Sequence, residues 1–443
     1  MSIEDAESRG TQQLQGETTQ TEQDKRPYDF LVIGATGFTG RRTARVLLEE
    51  CPNPARVALA ARNQERLRAL AKEVGVEEKN CFQLDTTDVA RVQQIIPTSR
   101  MVVSTAGPYS LYGEAVLAAC AASGTHYTDI TGEVDFIAEM VQKYGKEAQS
   151  SGARLVSFCG FDSVPAEVAV HMLAKRFSQG NERDEKDERD ESGDGKKGDK
   201  DDELSIQSYY QTRGGLNGGT IATMLNKLAT SGKKQKVQPD ALIPESQRAN
   251  GPKLKAPKGA QFFGFVRRIA RWSTPFIMSG VNARVVYRSV QQMHESKVYN
   301  FSSFGYSEQS SLGKWYAPWS FLLTTKLLLS LAILGPFAWF RKLLSWFVPK
   351  PGQGPSEESI ELGYFRMRVF AENTRGQKEE ISCFFAGDPS NKATVFFLVH
   401  SSVLLLELEQ LKQLAEPGFH TPYTAFGDHL VQRLEQKGYQ IGI

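Results

Sequence analysis

The spacing of hydrophobic positions changes character partway along the chain. From residue 30, short apolar runs alternate with amphipathic stretches. Residues 30–33 form a β-branched run of strand length, and Ala44, Leu47 and Leu48 then recur on one helical face until Pro52 stops it. A second strand is predicted over 56–61, a helix face by Leu67, Leu70, Ala71 and Val74, and a third strand ending at Asp85. Val89, Val92, Ile95 and Ile96 give the next helix, and 101–105 the fourth strand. Helix 114–123, strand 126–130, helix 134–149 and strand 154–159 complete the series. This alternation predicts an α/β fold with an N-terminal Rossmann-like, doubly wound parallel sheet over 27–165, and ligand sites at the strand C-terminal ends.

Beyond that point the period lengthens. Residues 204–212 and the alternating runs at 284–290, 294–306, 358–372 and 378–386 predict long strands, placing a second α/β domain for substrate or dimerisation at 166–416. Residues 179–203 are almost wholly charged, with Gly and Ser, and predict a disordered insert at a surface turn. The basic stretch 233–258 predicts a loop, and the segment 218–220, Gly-Gly-Thr, predicts the start of a helix. Residues 1–26 carry no apolar run and predict a disordered tail that starts in the cytosol. At 417–443, Ala425, Phe426, Leu430 and Leu434 mark a C-terminal helix that packs back on the first domain.

One apolar segment, 315–348, stands apart. Residues 321–340 are mostly Leu, Phe, Ala and Ile with Lys326 the only charge, and Trp315, Trp319, Trp339 and Trp346 surround them. Pro336 breaks the run, so a monotopic hairpin at a lipid surface is expected rather than a clean span. A buried helical pair in the second domain is the alternative.

Chemistry concentrates at the first strand's end. Gly34-Ala35-Thr36-Gly37-Phe38-Thr39-Gly40-Arg41 places three glycines between a strand and a helix, where the backbone turns tightly and free N–H groups receive a pyrophosphate. Strand two ends at Arg62-Asn63, where an acid would bind the ribose 2′-hydroxyl and an arginine suits a 2′-phosphate. With Arg41 adding a second cation, the cofactor predicted is NADP(H). Asp85 would meet the adenine, and Thr105-Ala106-Gly107 leaves room for ribose and nicotinamide. Tyr109 and Asp162 are the candidate catalytic residues; capping of the helix at Pro165 is the competing account of Asp162 and Ser163.

A net charge of +2 offers no general electrostatic case for a nucleic-acid partner. The five cysteines form no C-x-x-C pair and the six histidines no H-E-x-x-H spacing, so no metal site is predicted.

Taken together, the glycine turn, Ala-Ala-Arg-Asn at 60–63, Ala-Gly-Pro-Tyr at 106–109 and Tyr-Thr-Asp-Ile-Thr-Gly-Glu at 127–133 form part of a larger set. The set adds Cys-Gly-Phe-Asp-Ser-Val-Pro at 159–165, Gly-Gly-Thr at 218–220, Pro-Gly-Gln-Gly-Pro-Ser at 351–356 and Thr-Pro-Tyr-Thr-Ala-Phe-Gly-Asp at 421–428. It resembles the saccharopine dehydrogenase-like oxidoreductases, which include bacterial trans-acting enoyl reductases. The resemblance implies an NADP(H)-dependent reductase of hydrophobic, lipid-like substrates. It also implies association with the cytosolic face of a membrane, a lipid droplet or the endoplasmic reticulum, with a homodimer left open. Two other functions remain: a non-catalytic NADP(H)-binding protein of lipid surfaces, and a soluble amino-acid dehydrogenase of the saccharopine type.

Overall fold

The computed structural model describes residues 25–191, 203–215, 217–221, 224–225, 238–257, 263–299, 301–312, 317–350 and 352–442. The tail at 1–24, the insert at 192–202 and part of the basic loop (233–237 and 258) lie outside the described residues.

The first half alternates β1 (Tyr28–Ile33), α1 (Phe38–Glu50), β2 (Val57–Ala61), α2 (Gln64–Val74), β3 (Cys81–Gln83), α3 (Val89–Ile95), β4 (Ser99–Ser104), α4 (Glu114–Ser123), β5 (His126–Asp129), α5 (Val134–Ser151) and β6 (Arg154–Val156). A long helix, α6 (Val164–Glu191), leads out of this unit. The second half holds β7 (Glu203–Arg213), β8 (Lys253–Lys255), β9 (Gly264–Val266), β10 (Arg271–Pro275), α7 (Ser279–Glu295), β11 (Ser303–Ser311), α8 (Ala317–Leu334), α9 (Ala338–Phe347), β12 (Tyr364–Asn373), β13 (Lys378–Ala386), α10 (Thr394–Gln410), β14 (Gly418–His420), α11 (Asp428–Gln436) and β15 (Gln440–Gly442).

Two sheets result. The first is parallel, in the order β14-β6-β5-β4-β1-β2-β3, so the strand order reverses between β1 and β4. Those two strands end flush, with Ile33 opposite Ser104. The second is mixed, in the order β15-β13-β12-β7-β11-β10-β9 with β8 on β11. In β7, Leu204, Ile206, Ser208 and Tyr210 point inward at period two, and Phe365, Met367 and Val369 of β12 do the same.

The C-terminal residues join both sheets. β14 extends the first sheet beside β6, and β15 pairs with β13 in the second. Helix α10 is apolar on all sides and buried, packing on α1 and on β5, where Ser402 Oγ lies 2.8 Å from Thr128 Oγ1. It is the one helix among the described residues long and apolar enough to cross a membrane, and its burial marks it as a core helix.

Several sequence expectations are corrected. Residues 284–290 lie in α7, not a strand: Val281, Val285 and Val286 share one buried face, a helical recurrence that a short β-branched run disguises. The run 294–306 yields a strand only from Ser303, and 358–372 begins with the short helix Glu357–Glu361, capped by Ser356 Oγ on the Ser359 N–H. The charged stretch is not disordered throughout, because α6 continues to Glu191. β3 stops at Gln83 because Asp85 turns back to accept from the Thr87 N–H and hydroxyl at 3.0 and 2.8 Å. β6 stops at Val156, before Phe158 takes a φ of 67°. The C-terminal helix is split at Gly427, whose φ is 54°.

The segment 315–348 forms a helical hairpin, α8 and α9, turned at Pro336. Trp319, Leu323, Ile333, Trp339 and Trp346 on it are each more than half exposed. The buried-pair alternative is therefore excluded for these side chains.

Candidate cofactor and catalytic site

The strand reversal puts the end of β1 against the end of β4, the place where open α/β sheets bind ligands. Gly34 turns there with a φ of 79°, and its N–H and that of Ala35 both donate to the Ala60 carbonyl, at 3.0 and 3.2 Å. The Gly37 N–H donates to the Gly34 carbonyl at 2.9 Å, closing the turn. A Cβ at Gly40 would stand 2.1 Å from that carbonyl oxygen, so only glycine lets α1 approach β1 this closely. Thr105 fixes the other side: its hydroxyl donates to the Ile33 carbonyl at 2.9 Å.

Helix α1 begins without a side-chain cap, since its N-cap is Gly37, and no acid stands in its first turn. Its first intrahelical bond is Arg41 N–H to the Gly37 carbonyl, so the N–H groups of Phe38, Thr39 and Gly40 open the helix. Arg62 is exposed at the end of β2, its guanidinium 5.4 Å from the Tyr112 ring. Asn63 caps α2 through the Arg66 N–H, and the Asp85 carboxyl is held below its usual range by the Thr87 hydrogen bonds, with Arg62 contributing. Arg41 is exposed on α1. These residues fit a dinucleotide phosphate: a tight glycine cradle, uncapped N–H groups, no repelling acid, and a cation at the end of β2.

The motif at 127–133 holds loops together. Asp129 accepts from the Thr131 and Phe158 N–H groups at 3.1 and 3.0 Å, and burial pushes its carboxyl up to about 6. Glu133 accepts from the Tyr109 and Ser110 N–H groups at 2.7 and 3.1 Å. Tyr109 itself is buried, and its hydroxyl donates to the Ser104 carbonyl at 2.9 Å. That hydrogen bond ties it to the end of β4 instead of presenting it to a substrate. The Gly-Gly-Thr helix start is likewise occupied: Asn217 Oδ1 accepts from the Gly219 and Thr220 N–H groups, both at 3.0 Å.

Asp162 differs from all of these. It is half-buried at the start of α6, and among the described residues its carboxyl has no hydrogen-bond partner, so capping does not account for it. Burial pushes it up to about 6. Next to it lies a group that the sequence reading missed. Glu308 of β11 is buried and receives Tyr306 Oη at 2.6 Å, Tyr210 Oη at 3.2 Å and Asn282 Nδ2 at 2.8 Å. Ser163 Oγ donates to Asn282 Oδ1 at 3.4 Å, linking this network to the Asp162 turn. Burial, with Asp162's charge adding, raises Glu308 to about 8. The signal was present in β11, where Phe304, Tyr306 and Glu308 recur at period two on the inward face. A carboxyl on that face needs a reason to be there.

The two carboxyls sit where the sheets meet. Phe161, Phe276, Tyr210 and Phe365 pack beside them, Tyr210 and Phe276 stacked with centroids 4.4 Å apart. Met278 reaches the loop after β5, its Cε 3.1 Å from where a Gly132 Cβ would be. An apolar cluster therefore adjoins the pair of protonatable groups.

Residues 30–156 match the family model of the saccharopine dehydrogenase NADP binding domain. A putative trans-acting enoyl reductase of Mycobacterium tuberculosis is 33% identical over 442 residues, covering 94% of this chain and 97% of that protein. The trans-acting enoyl reductase of Mycobacterium bovis is 30% identical, over 94% of this chain and 98% of its own length. The chain belongs to the saccharopine dehydrogenase-like oxidoreductase family. Among solved structures, the apo saccharopine dehydrogenase (L-Glu forming) of Saccharomyces cerevisiae is similar at 14% identity and a TM-score of 0.49, covering 94% of this chain and 99% of that one. For this member of the family the cofactor is NADP(H).

Proposed function

We propose that the protein reduces a carbon–carbon double bond in a hydrophobic, lipid-like substrate, at the cytosolic face of a membrane or on a lipid droplet. NADPH, when bound, supplies the hydride. The rest is the chain's own work. The N–H groups opening α1 hold the phosphates, and Arg62 favours the phosphorylated cofactor over NADH. Phe161, Phe276 and Met278 offer an apolar wall to the substrate and keep water from the reacting carbons. Asp162 delivers the proton that the hydride addition requires, ending as a carboxylate.

The observation that carries this reading is the half-buried, unpartnered Asp162 beside Glu308. Burial raises both carboxyls, Asp162 to about 6 and Glu308 to about 8, so Asp162 keeps a proton to deliver up to about pH 6. The relatives named as enoyl reductases support the substrate bond, and the exposed apolar hairpin supports a lipid surface.

Asp162→Asn is expected to keep NADPH affinity while lowering kcat by roughly 100-fold or more, the range for loss of a general acid. Transfer of deuterium from 4-deuterated NADPH to a long-chain enoyl substrate, followed by mass spectrometry, measures it. The wild-type rate should fall above about pH 6, as Asp162 loses its proton, and the variant should lose that dependence. Equal rates for both proteins would remove Asp162 from the mechanism. Cofactor binding with no label transfer to any lipid would favour the non-catalytic alternative.

A further inference from the structure

The chain is nearly neutral overall, yet its cations are not evenly spread. Residues 246–294 contain no Asp or Glu and nine Lys or Arg, and residues 309–356 contain no Asp or Glu and five. The structure brings these two acid-free segments together. Phe321 of α8 packs against Phe263 and against Trp272 of β10, with ring centroids 6.1 and 5.2 Å apart. On the β9–β10 hairpin, Phe265 stands directly opposite Trp272, so Phe263, Phe265 and Trp272 lie toward α8. Phe263 and Phe265 are exposed at 44% and 47%. The aromatic surface of the strands thus continues the apolar surface of the helices.

Cations border this surface. Arg267 and Arg268 occupy the turn between β9 and β10, with Arg271 next to it. Arg268 is used inside the fold, 4.8 Å over Phe370 and 3.7 Å from Glu372. Arg267 and Arg271 have no carboxylate partner among the described residues, and neither do Lys326 and Lys342 of the helical hairpin. Arg341 donates to the Gly335 and Pro336 carbonyls at 2.9 and 2.6 Å and closes the end of α8. An open groove along α8 is lined by Leu322, Leu329, Ile333 and Leu334 with Lys326 at its side.

We propose that the β9–β10 turn is a phosphate-headgroup site that selects an anionic phospholipid surface, with Arg267 and Arg271 reading the headgroups while the α8–α9 hairpin enters the acyl boundary. This deepens the lipid-surface reading and rests on it. Charge complementarity commits the occupant: an apolar face flanked by unpaired cations, with no acid in either segment, matches a negatively charged leaflet. A neutral lipid core alone would need the apolar face but not the cations.

The test is flotation of the full-length protein with vesicles of phosphatidylcholine, and of phosphatidylcholine with about one-third phosphatidylserine. Arg267→Gln/Arg271→Gln and Leu323→Ser/Ile333→Ser are compared, with unchanged thermal melting as the folding control. Phosphatidylserine should strengthen binding. The double arginine variant should lose roughly 30-fold on the anionic vesicles, about fivefold per cation, and change little on phosphatidylcholine alone. The apolar variant should lose binding to both. Equal loss for the arginine variant on both vesicles, or none on either, overturns the headgroup site while the lipid-surface reading stands. No binding of wild type to any vesicle overturns both. Tighter binding to a single-stranded oligonucleotide than to anionic vesicles also overturns the proposal.

Discussion

Alanine at Gly40 is expected to abolish useful NADPH binding. Its methyl group would sit 2.1 Å from the Gly34 carbonyl oxygen and 2.7 Å from the Thr105 hydroxyl, and the nearer of these is backbone. Helix α1 must then move away from β1, carrying the N–H groups of Phe38 and Thr39 with it. Overpacking of this kind costs about 1–3 kcal/mol, and a misplaced cradle should weaken NADPH by about two orders of magnitude. Gly75→Ala provides the contrast. That glycine also has positive φ, at 78°, but nothing lies within 4 Å of the added carbon. It should cost about 1 kcal/mol of stability through strain alone and leave NADPH affinity unchanged. Calorimetric titration of both variants distinguishes loss of the cradle from general destabilisation.

The second large effect concerns the join between the first sheet and α10. Arg100 of β4 is buried and bonds Asp29 Oδ1 at 3.2 Å and Glu409 Oε2 at 2.5 Å. His126 adds a contact to the other Glu409 oxygen at 3.2 Å. Burial alone would raise the Glu409 carboxyl, but the His126 hydrogen bond and the Arg100 charge win and hold it at about 2. Arg100→Leu leaves Glu409 without its cation, while Asp29 keeps Arg56 at 3.0 Å, and should destabilise the protein by about 3 kcal/mol at pH 7, read from urea melts. The sign with pH follows from a depressed folded-state value. The pair's contribution is full above the unfolded Glu value near 4.5 and is lost as pH falls toward 2. The gap between wild type and variant should therefore narrow below about pH 4.5, and a gap that widens there would refute the assignment.

Much of the fold was legible because the first half obeys local rules. Strands β1, β2 and β4 are short apolar runs ending near a turn residue, and the glycine turn declares itself by spacing, whereas β14, Gly-Phe-His, carries no such signal. What failed was decided by tertiary contact. The valines of α7 alternate enough to pass for a strand, and only packing against α6 and β11 settles them as helix. Helix α10 has no polar face, so no periodicity announces it. At the site, Asp162 was visible from its place after β6. Glu308 was not, because its meaning lies in Tyr210 and Asn282, 98 and 26 residues away. Tyr109 looked equally well placed in sequence, and only its bond to Ser104 shows what holds it.

The central claim, an NADP(H) site built on the glycine turn with Arg62 choosing the phosphorylated cofactor, is tested most directly by titrating purified protein with NADPH and NADH. Wild type should bind NADPH more tightly than NADH, and Arg62→Ala should weaken NADPH by roughly tenfold, consistent with loss of one charge-assisted contact, while leaving NADH unchanged. Equal affinity for the two nucleotides, unaltered by the substitution, would contradict the role of Arg62. Failure to bind either would contradict the cofactor site itself.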